Sequence, residues 1–472
     1  MKTVRFLSTI LLLGMGHLNA QITDLHNFSV NSAPYADVTT TGNKLFGASN
    51  EGGKNGYGYF FSVNKDGSAF KDIWDCNDTG LVEGNANGGY PYGDVTVIAN
   101  KLYGFNEDGG AFGYGNIFRI DTNGAGYKDL HDFNDTAGAS MEWGALTLIG
   151  NKFFGMTYGG GAYGYGVIFS IDTNGAGYKD IFNFNDTNGA YPQSVSLAVY
   201  EDKLYGITYQ GGINDSGVIF SIDTDGSGYK DLVDFTYSKG YFPYGFLTLV
   251  GNKLFGMTYE GGTLDSGVIF SVDTNGIAYK ILVNMDSATG CFPQGALTLA
   301  RNKLYSMTYQ GGAHDSGDIF SIDTNGTGFK RIYDFQGGSS AFYPSGNNIT
   351  VSTDTLFGMT WDGGLNGYGE LFMLKDTALL ASVNTVSIPD AIVKVFPNPN
   401  NGIFNIQIAN SHKLIANSFI EVYNMLGEKV YSAIVNSKMQ IDLSNNADGV
   451  YLYRIIAETR ELIGEGKVVI QR

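Results

Sequence analysis

The chain has 472 residues, 43% of them apolar and 16% charged, with 67 glycines, 31 tyrosines and 31 phenylalanines. That composition excludes a disordered chain, and its glycine and aromatic excess points to many short strands joined by tight turns. The net charge of −17 leaves no basic footprint for nucleic acid, and two cysteines, Cys76 and Cys291, exclude a disulfide framework or a cysteine-rich zinc site.

Lys2 and Arg5 open the sequence, an apolar stretch runs from Phe6 to Met15, and Leu18-Asn19-Ala20 places a small residue before Gln21. This pattern predicts an export signal over 1–20, too short to cross a membrane. No later apolar run is long enough for a transmembrane segment.

From Gln21 onward the sequence repeats itself. A motif of the form Asn-Lys-Leu-(Phe/Tyr)-Gly starts at Asn43, Asn100, Asn151, Asp202, Asn252, Asn302 and Asp354. Each repeat reads as four short strands, a to d. In the fifth, strand a is Phe246–Val250, b is Lys253–Tyr259, c is Gly267–Asp273 and d is Tyr279–Met285. Gly-Asn and Asn-Gly turns between them supply the positive φ angles that tight hairpins need. One column is Phe throughout: Phe61, Phe118, Phe169, Phe220, Phe270, Phe320 and Phe372. It predicts a packing layer between neighbouring repeats. Repeats of this length with four strands predict propeller blades. The seventh repeat stops after strand c, whereas the mature chain opens with Ile22-Thr-Asp-Leu-His-Asn-Phe28, which matches strand d of other repeats. The first strand is therefore expected to complete the last blade, giving a seven-bladed β-propeller over 21–375 with strand a at the centre.

The Gly-Gly pair after strand b, preceded by Tyr in four repeats, resembles kelch-type propellers. Gly-Val-Ile-Phe-Ser-Ile-Asp-Thr-Asn-Gly at 166–175 is similar to the bacterial tandem repeat called GloVer. Both resemblances imply architecture; neither implies an activity.

Residues 376–393 lack repeat elements and read as a linker. Residues 394–472 hold only 5 glycines and carry 8 bases against 7 acids, which leaves −20 on residues 21–393. Alternating segments at 404–408, 419–423, 429–431, 439–443, 450–454 and 467–470 predict a small Ig-like β-sandwich. Val395-Phe-Pro-Asn-Pro399, Gly402, Tyr423-Asn-Met-Leu-Gly-Glu-Lys-Val430, Asp448-Gly-Val-Tyr451 and Gly466-Lys-Val-Val469 resemble the type A C-terminal sorting domain of the type IX secretion system. The resemblance implies the type IX machinery as partner of 394–472, and a protein secreted from, or displayed on, a Gram-negative cell.

Candidate binding residues lie in the loops between strands b and c. Four repeats read Gly-Tyr-Gly there, with Tyr57, Tyr114, Tyr165 and Tyr368; three read Asp-Ser-Gly, with Asp215, Asp265 and Asp315. In a closed ring each set is contiguous, one half of the rim aromatic and the other acidic. Tyr faces that stack on sugar C–H groups, with Asp accepting hydroxyls, suit an extracellular glycan or protein. Copying of adjacent repeats explains the same pattern more plainly, since Asp-Ser-Gly is an ordinary turn. Oxygen donors at the channel mouth would also suit calcium, but no EF-hand pattern occurs, and no metal or cofactor is expected. His26 and His131 fall in strand d, and only His314 lies in a rim loop. No nucleophile elbow, HExxH, P-loop or dinucleotide fingerprint occurs. A non-catalytic binding protein is therefore expected, ahead of a polysaccharide hydrolase or lyase using rim carboxylates and of a structural surface module.

Overall fold

The computed structural model describes residues 22–77, 88–337, 343–344, 348–376, 393–408, 419–424, 429–434, 438–456 and 462–472. The expected leader and residues 377–392 of the expected linker lie outside them. The chain divides into two compact units between Ser382 and Val383. Both are all-β: among the described residues the one helical turn is the 3-10 segment Tyr237–Lys239.

The first unit contains seven four-stranded antiparallel sheets that resemble propeller blades. The fifth is built from Thr248–Val250, Lys253–Thr258, Val268–Asp273 and Lys280–Asn284, within two residues of the boundaries expected from the sequence. In the seventh, Thr350–Ser352, Thr355–Thr360 and Glu370–Lys375 are joined by Ile22–Asn27. Ile22 pairs with Leu374 and Asn27 with Glu370, so the first strand does complete the last sheet. Phe28, fully buried, is tied down by its N–H to the Gly369 carbonyl (3.1 Å).

The seven phenylalanines of strand c are all fully buried. Phe118 sits among Phe46, Phe60 and Ile73 of the first sheet and Leu102 of its own. Phe61 likewise packs with Phe357, Met359 and Leu371 of the seventh sheet. Each is thus the packing layer between neighbouring sheets, and burying one ring is worth about 2–3 kcal/mol. A threonine hydroxyl at the start of strand a donates to a carbonyl in the next sheet: Thr39 to Val95 (2.7 Å), Thr96 to Leu146 (3.1 Å) and Thr147 to Leu197 (3.0 Å). Thr350 of the seventh sheet donates to Val38 of the first.

In the second unit, Val393–Phe396, Ile403–Ile408 and Lys438–Asp442 form one sheet. Lys429–Ile434, Phe419–Tyr423, Gly449–Ile456 and Leu462–Ile470 form the other. Phe404, Ile406 and Ile441 of the first share a core with Ile420, Val422, Tyr451, Tyr453 and Val468 of the second. The strand Val393–Phe396 was not anticipated from the sequence: its end runs into the two prolines of the Phe-Pro-Asn-Pro segment, which reads as a loop.

Candidate functional site

Among the residues expected at the rim, one lies on each sheet's b–c loop. In three sheets Asp215, Asp265 and Asp315 hold the left-handed conformation, at φ 49°, 54° and 54°. Each turns its Oδ1 back onto its own loop, accepting the N–H of Gly211 (3.1 Å), Gly261 (3.1 Å) and Gly311 (3.0 Å). In the other four sheets Gly56, Gly113, Gly164 and Gly367 adopt the same conformation. The Asp/Gly alternation is thus two solutions to one turn, because Asp tolerates positive φ when its side chain bonds locally. Tyr57, Tyr165 and Tyr368 are half-buried and pack against three different inter-sheet clusters. Tyr114 is the open one, 40% exposed. None of these seven residues lines the pocket formed by Tyr35, Trp143 and their neighbours.

That pocket, about 280 Å³, is lined by Tyr35, Tyr92, Glu107, Glu142, Trp143, Tyr244 and Gln294. Six of the seven lining residues come from the loops leading into strand a of the first, second, third, fifth and sixth sheets, and Glu107 comes from the end of strand b in the second. In six repeats this loop contains a proline: Pro34, Pro91, Pro192, Pro243, Pro293 and Pro344, with Met141 in the remaining one. The residue before it takes positive φ at Tyr90, Ser140, Tyr191, Phe242, Phe292 and Tyr343. The residue after it is Tyr35, Tyr92, Glu142, Gln193, Tyr244, Gln294 or Ser345. Five of those seven line the pocket. In five sheets this turn therefore delivers one variable side chain to a common opening.

Two aromatic groups form the walls. Tyr35 lies 5.2 Å from Tyr92 and stacks on Trp361 at 5.5 Å. Trp143 lies 5.3 Å from Tyr244, which makes edge contacts at 5.0 Å with Tyr209 and Tyr259. Trp143 of the third sheet meets Tyr244 of the fifth; its backbone is fixed against the fourth by Trp143 N–H to the Gln193 carbonyl (3.1 Å) and Val195 N–H to the Trp143 carbonyl (2.7 Å). Its indole N–H is buried without a hydrogen-bond partner among the described residues. Burial raises Glu142 to about 8, aided by the negative charge of Glu107. Burial likewise raises Glu107 to about 7, aided by Asp108. Near neutral pH both carboxyls spend much of their time protonated and serve as donors as well as acceptors. Burial and the surrounding acids also push the Tyr35 and Tyr92 hydroxyls up, so they stay neutral donors.

This cup was missed in the sequence because the column after proline is not repetitive: its members share no residue type. The available signal was the opposite of a motif, a position of changing large polar or aromatic residues beside an almost constant proline. The two strand d histidines resolve as packing, while His314 is exposed on its loop. His131 stacks on Tyr178 at 3.8 Å and His26 on Phe70 at 3.5 Å. Both are pulled below the usual imidazole range by burial. Both cysteines are buried and unbridged. Among the described residues no three His, Cys, Asp or Glu side chains gather as a metal site.

Residues 15–199, 82–262 and 195–372 match the model of the Gloeobacter/Verrucomicrobia repeat. The chain belongs to this repeat family. Residues 394–471 match the secretion system C-terminal sorting domain, the tail that addresses cargo to the type IX pathway. The repeat protein is thus secreted or cell-surface, and among the described residues no helix is long and apolar enough to cross a membrane. No curated protein matches its sequence. Among solved structures it is similar to PorZ, a surface component of the type IX secretion system of Porphyromonas gingivalis, at 14% identity and TM-score 0.45, over 92% of this chain and 59% of that one. The repeat protein therefore spans less than two thirds of PorZ. It is also similar to an oligogalacturonate lyase in complex with manganese (12%, TM-score 0.49, 76% and 94%) and to the β-propeller domain of the trilobed protease from Pyrococcus furiosus (11%, TM-score 0.45, 73% and 95%).

Proposed function

We propose that this protein is an extracellular glycan-binding seven-bladed β-propeller that takes its ligand in the cup of Tyr35, Tyr92, Trp143 and Tyr244. On this reading 1–20 is a removed leader, 21–375 the propeller, 376–393 a linker and 394–472 an Ig-like sorting sandwich. The Thr350–Val38 hydrogen bond and the pairing of the first strand support closure of the ring. The observation that carries the function is the pocket lining: aromatic faces beside Glu107, Glu142 and Gln294 in a cavity of about 280 Å³. Aromatic rings offer flat apolar faces to sugar C–H groups, and the carboxyl and amide groups give and accept hydroxyl hydrogen bonds. A cavity of this size takes about one sugar residue, so a longer chain would continue over the b–c loops. Tyr114, and then Tyr57, Tyr165, Tyr368, Asp215, Asp265 and Asp315, are the proposed outer contacts.

The test is a glycan array probed with the full chain, with Trp143→Ala and Tyr114→Ala alongside. Trp143→Ala is expected to weaken binding by tenfold or more, about 1.4 kcal/mol, and Tyr114→Ala by less. Silence across neutral, amino and acidic glycans would refute the reading and favour a structural surface module. A hydrolase or lyase is the second reading, favoured by two protonatable glutamates in one lining, with the charge of Glu107 raising Glu142. It requires release of reducing or unsaturated ends from a bound glycan, abolished in both Glu107→Gln and Glu142→Gln.

A further inference from the structure

The cup is one-sided in charge. Its seven lining residues include two glutamates and no lysine or arginine. The imbalance extends outward. The positions equivalent to Tyr35, Asn50 and Glu51 across the repeats hold Glu51, Glu107, Asp108, Glu142, Glu260 and Asp362 without one base. These groups act on one another: Glu51 and Asp362 both raise Tyr35, and Glu107, Glu142 and Glu51 all raise Tyr92. An anionic ligand entering here would meet acidic groups with no basic side chain among the lining residues, in an environment that screens poorly.

From this geometry we infer that the ligand carries a cationic ammonium group, placed against the Tyr35–Tyr92 and Trp143–Tyr244 faces with Glu142 as counter-charge. This deepens the glycan reading and rests on it: the sugar class is an amino sugar with a free amine. Three features of the cup support the assignment. Electron-rich ring faces attract a cation, Trp most strongly and Tyr next, and the attraction grows once water is excluded. Trp143 and Tyr244 lie 5.3 Å apart and Tyr35 and Tyr92 5.2 Å apart, so each pair offers a two-ring wall. The buried glutamates lack a resident cation partner in the lining, and an incoming ammonium supplies one. Burial keeps Glu142 protonated up to about 8 in the empty cup, so a bound ammonium would displace its proton to solvent.

The experiment titrates the full chain with a glucosamine tetramer, its N-acetylated counterpart, a galacturonate tetramer and tetramethylammonium. It follows tryptophan fluorescence, since Trp143 and Trp361 both belong to the cup's aromatic walls. The glucosamine tetramer is expected to bind about tenfold or more tighter than the N-acetylated one, and Glu142→Gln to reduce that preference to about twofold. Equal or tighter binding of the N-acetylated or galacturonate tetramer overturns the ammonium inference and leaves the glycan reading standing. Quenching by tetramethylammonium alone, lost in Glu142→Gln, keeps the ammonium site and overturns the glycan. No response to any of the four, with the fold intact by circular dichroism, overturns both.

Discussion

A glycine and a phenylalanine explain each other across two strands. Gly47, Gly104, Gly155, Gly206, Gly256 and Gly358 of strand b face the Phe of strand c, and a Cβ at Gly206 would meet Phe220 Cζ at 2.3 Å. In the sixth sheet Ser306 takes this place and spends its hydroxyl on the Ala296 carbonyl at 2.8 Å. Asp318 departs from the repeat at a higher cost. Its counterparts in the third, fourth and fifth sheets, Val167, Val218 and Val268, are buried apolar residues, whereas Asp318 is a fully buried acid whose Oδ2 has no hydrogen-bond partner among the described residues. Burial pushes its carboxyl up to about 8. Asp318→Val is therefore expected to stabilise the protein. Thr308, which now donates to Asp318 (3.1 Å), is free to bond the Gln310 carbonyl as Thr208 bonds Gln210. The folded-state value lies above the unfolded one, so the penalty is full above pH 8 and fades as pH falls toward 4. A gain of about 2–4 kcal/mol at pH 8.5, shrinking at pH 5, is expected in denaturant melts; no gain at pH 8.5 would mean that the acid is satisfied by solvent.

At the scale of the element, the first strand carries most risk. Leu25 and Phe28 are buried in the cluster that joins the seventh sheet to the first, and Asn27 holds the loop of that sheet through the Leu365 N–H (2.6 Å). Deleting 22–28 removes those contacts and leaves Glu370–Lys375 as an open edge. The loss is about 4–6 kcal/mol from the two side chains alone. A fall in Tm of about 10 °C or more is expected by calorimetry, and an unchanged Tm would contradict closure by this strand. This element was legible in advance because Asp24-Leu25-His26-Asn27-Phe28 copies Asp129-Leu130-His131-Asp132-Phe133, and a repeat preserves the pattern of what it buries. The cup was not legible for the reverse reason. Gln294, Glu142 and Tyr244 occupy one position with nothing in common but a shared opening that they line, and only the arrangement of the sheets reveals that opening. The rim residues were legible as a pattern, but Asp215, Asp265 and Asp315 owe that pattern to a turn.

The two units respond to acid in opposite directions. In the first, burial raises Asp94 to about 6, Glu107 and Glu370 to about 7 and Glu142 to about 8. Each binds protons more readily folded than unfolded, so stability rises as pH falls from about 8 toward 4.5. In the second, Glu421 accepts the Tyr423 hydroxyl (2.6 Å), Lys429 Nζ (2.9 Å) and Arg454 Nε (2.8 Å), which together hold it down at about 2. Its contribution is present above pH 4.5 and is lost as pH falls toward 2. Calorimetry of the full chain at pH 8, 5 and 3 is expected to show the propeller-like unit melting higher at pH 5 than at pH 8. The sorting unit is expected to weaken between pH 5 and 3. Parallel shifts of both would refute the assignment.

The pairing of Ile22–Asn27 with Glu370–Lys375 also sets a clock. A chain that emerges from its amino end must keep its opening segment waiting while about 350 residues follow, because the partner arrives only with the final repeat. Closing so long a loop costs little more entropy than closing one half its length, so the delay is one of time rather than energy. Until then the Phe61 side of the first sheet has nothing to lie against. A product that ends early keeps that surface bare, and bare apolar surface of this kind invites aggregation and proteolysis.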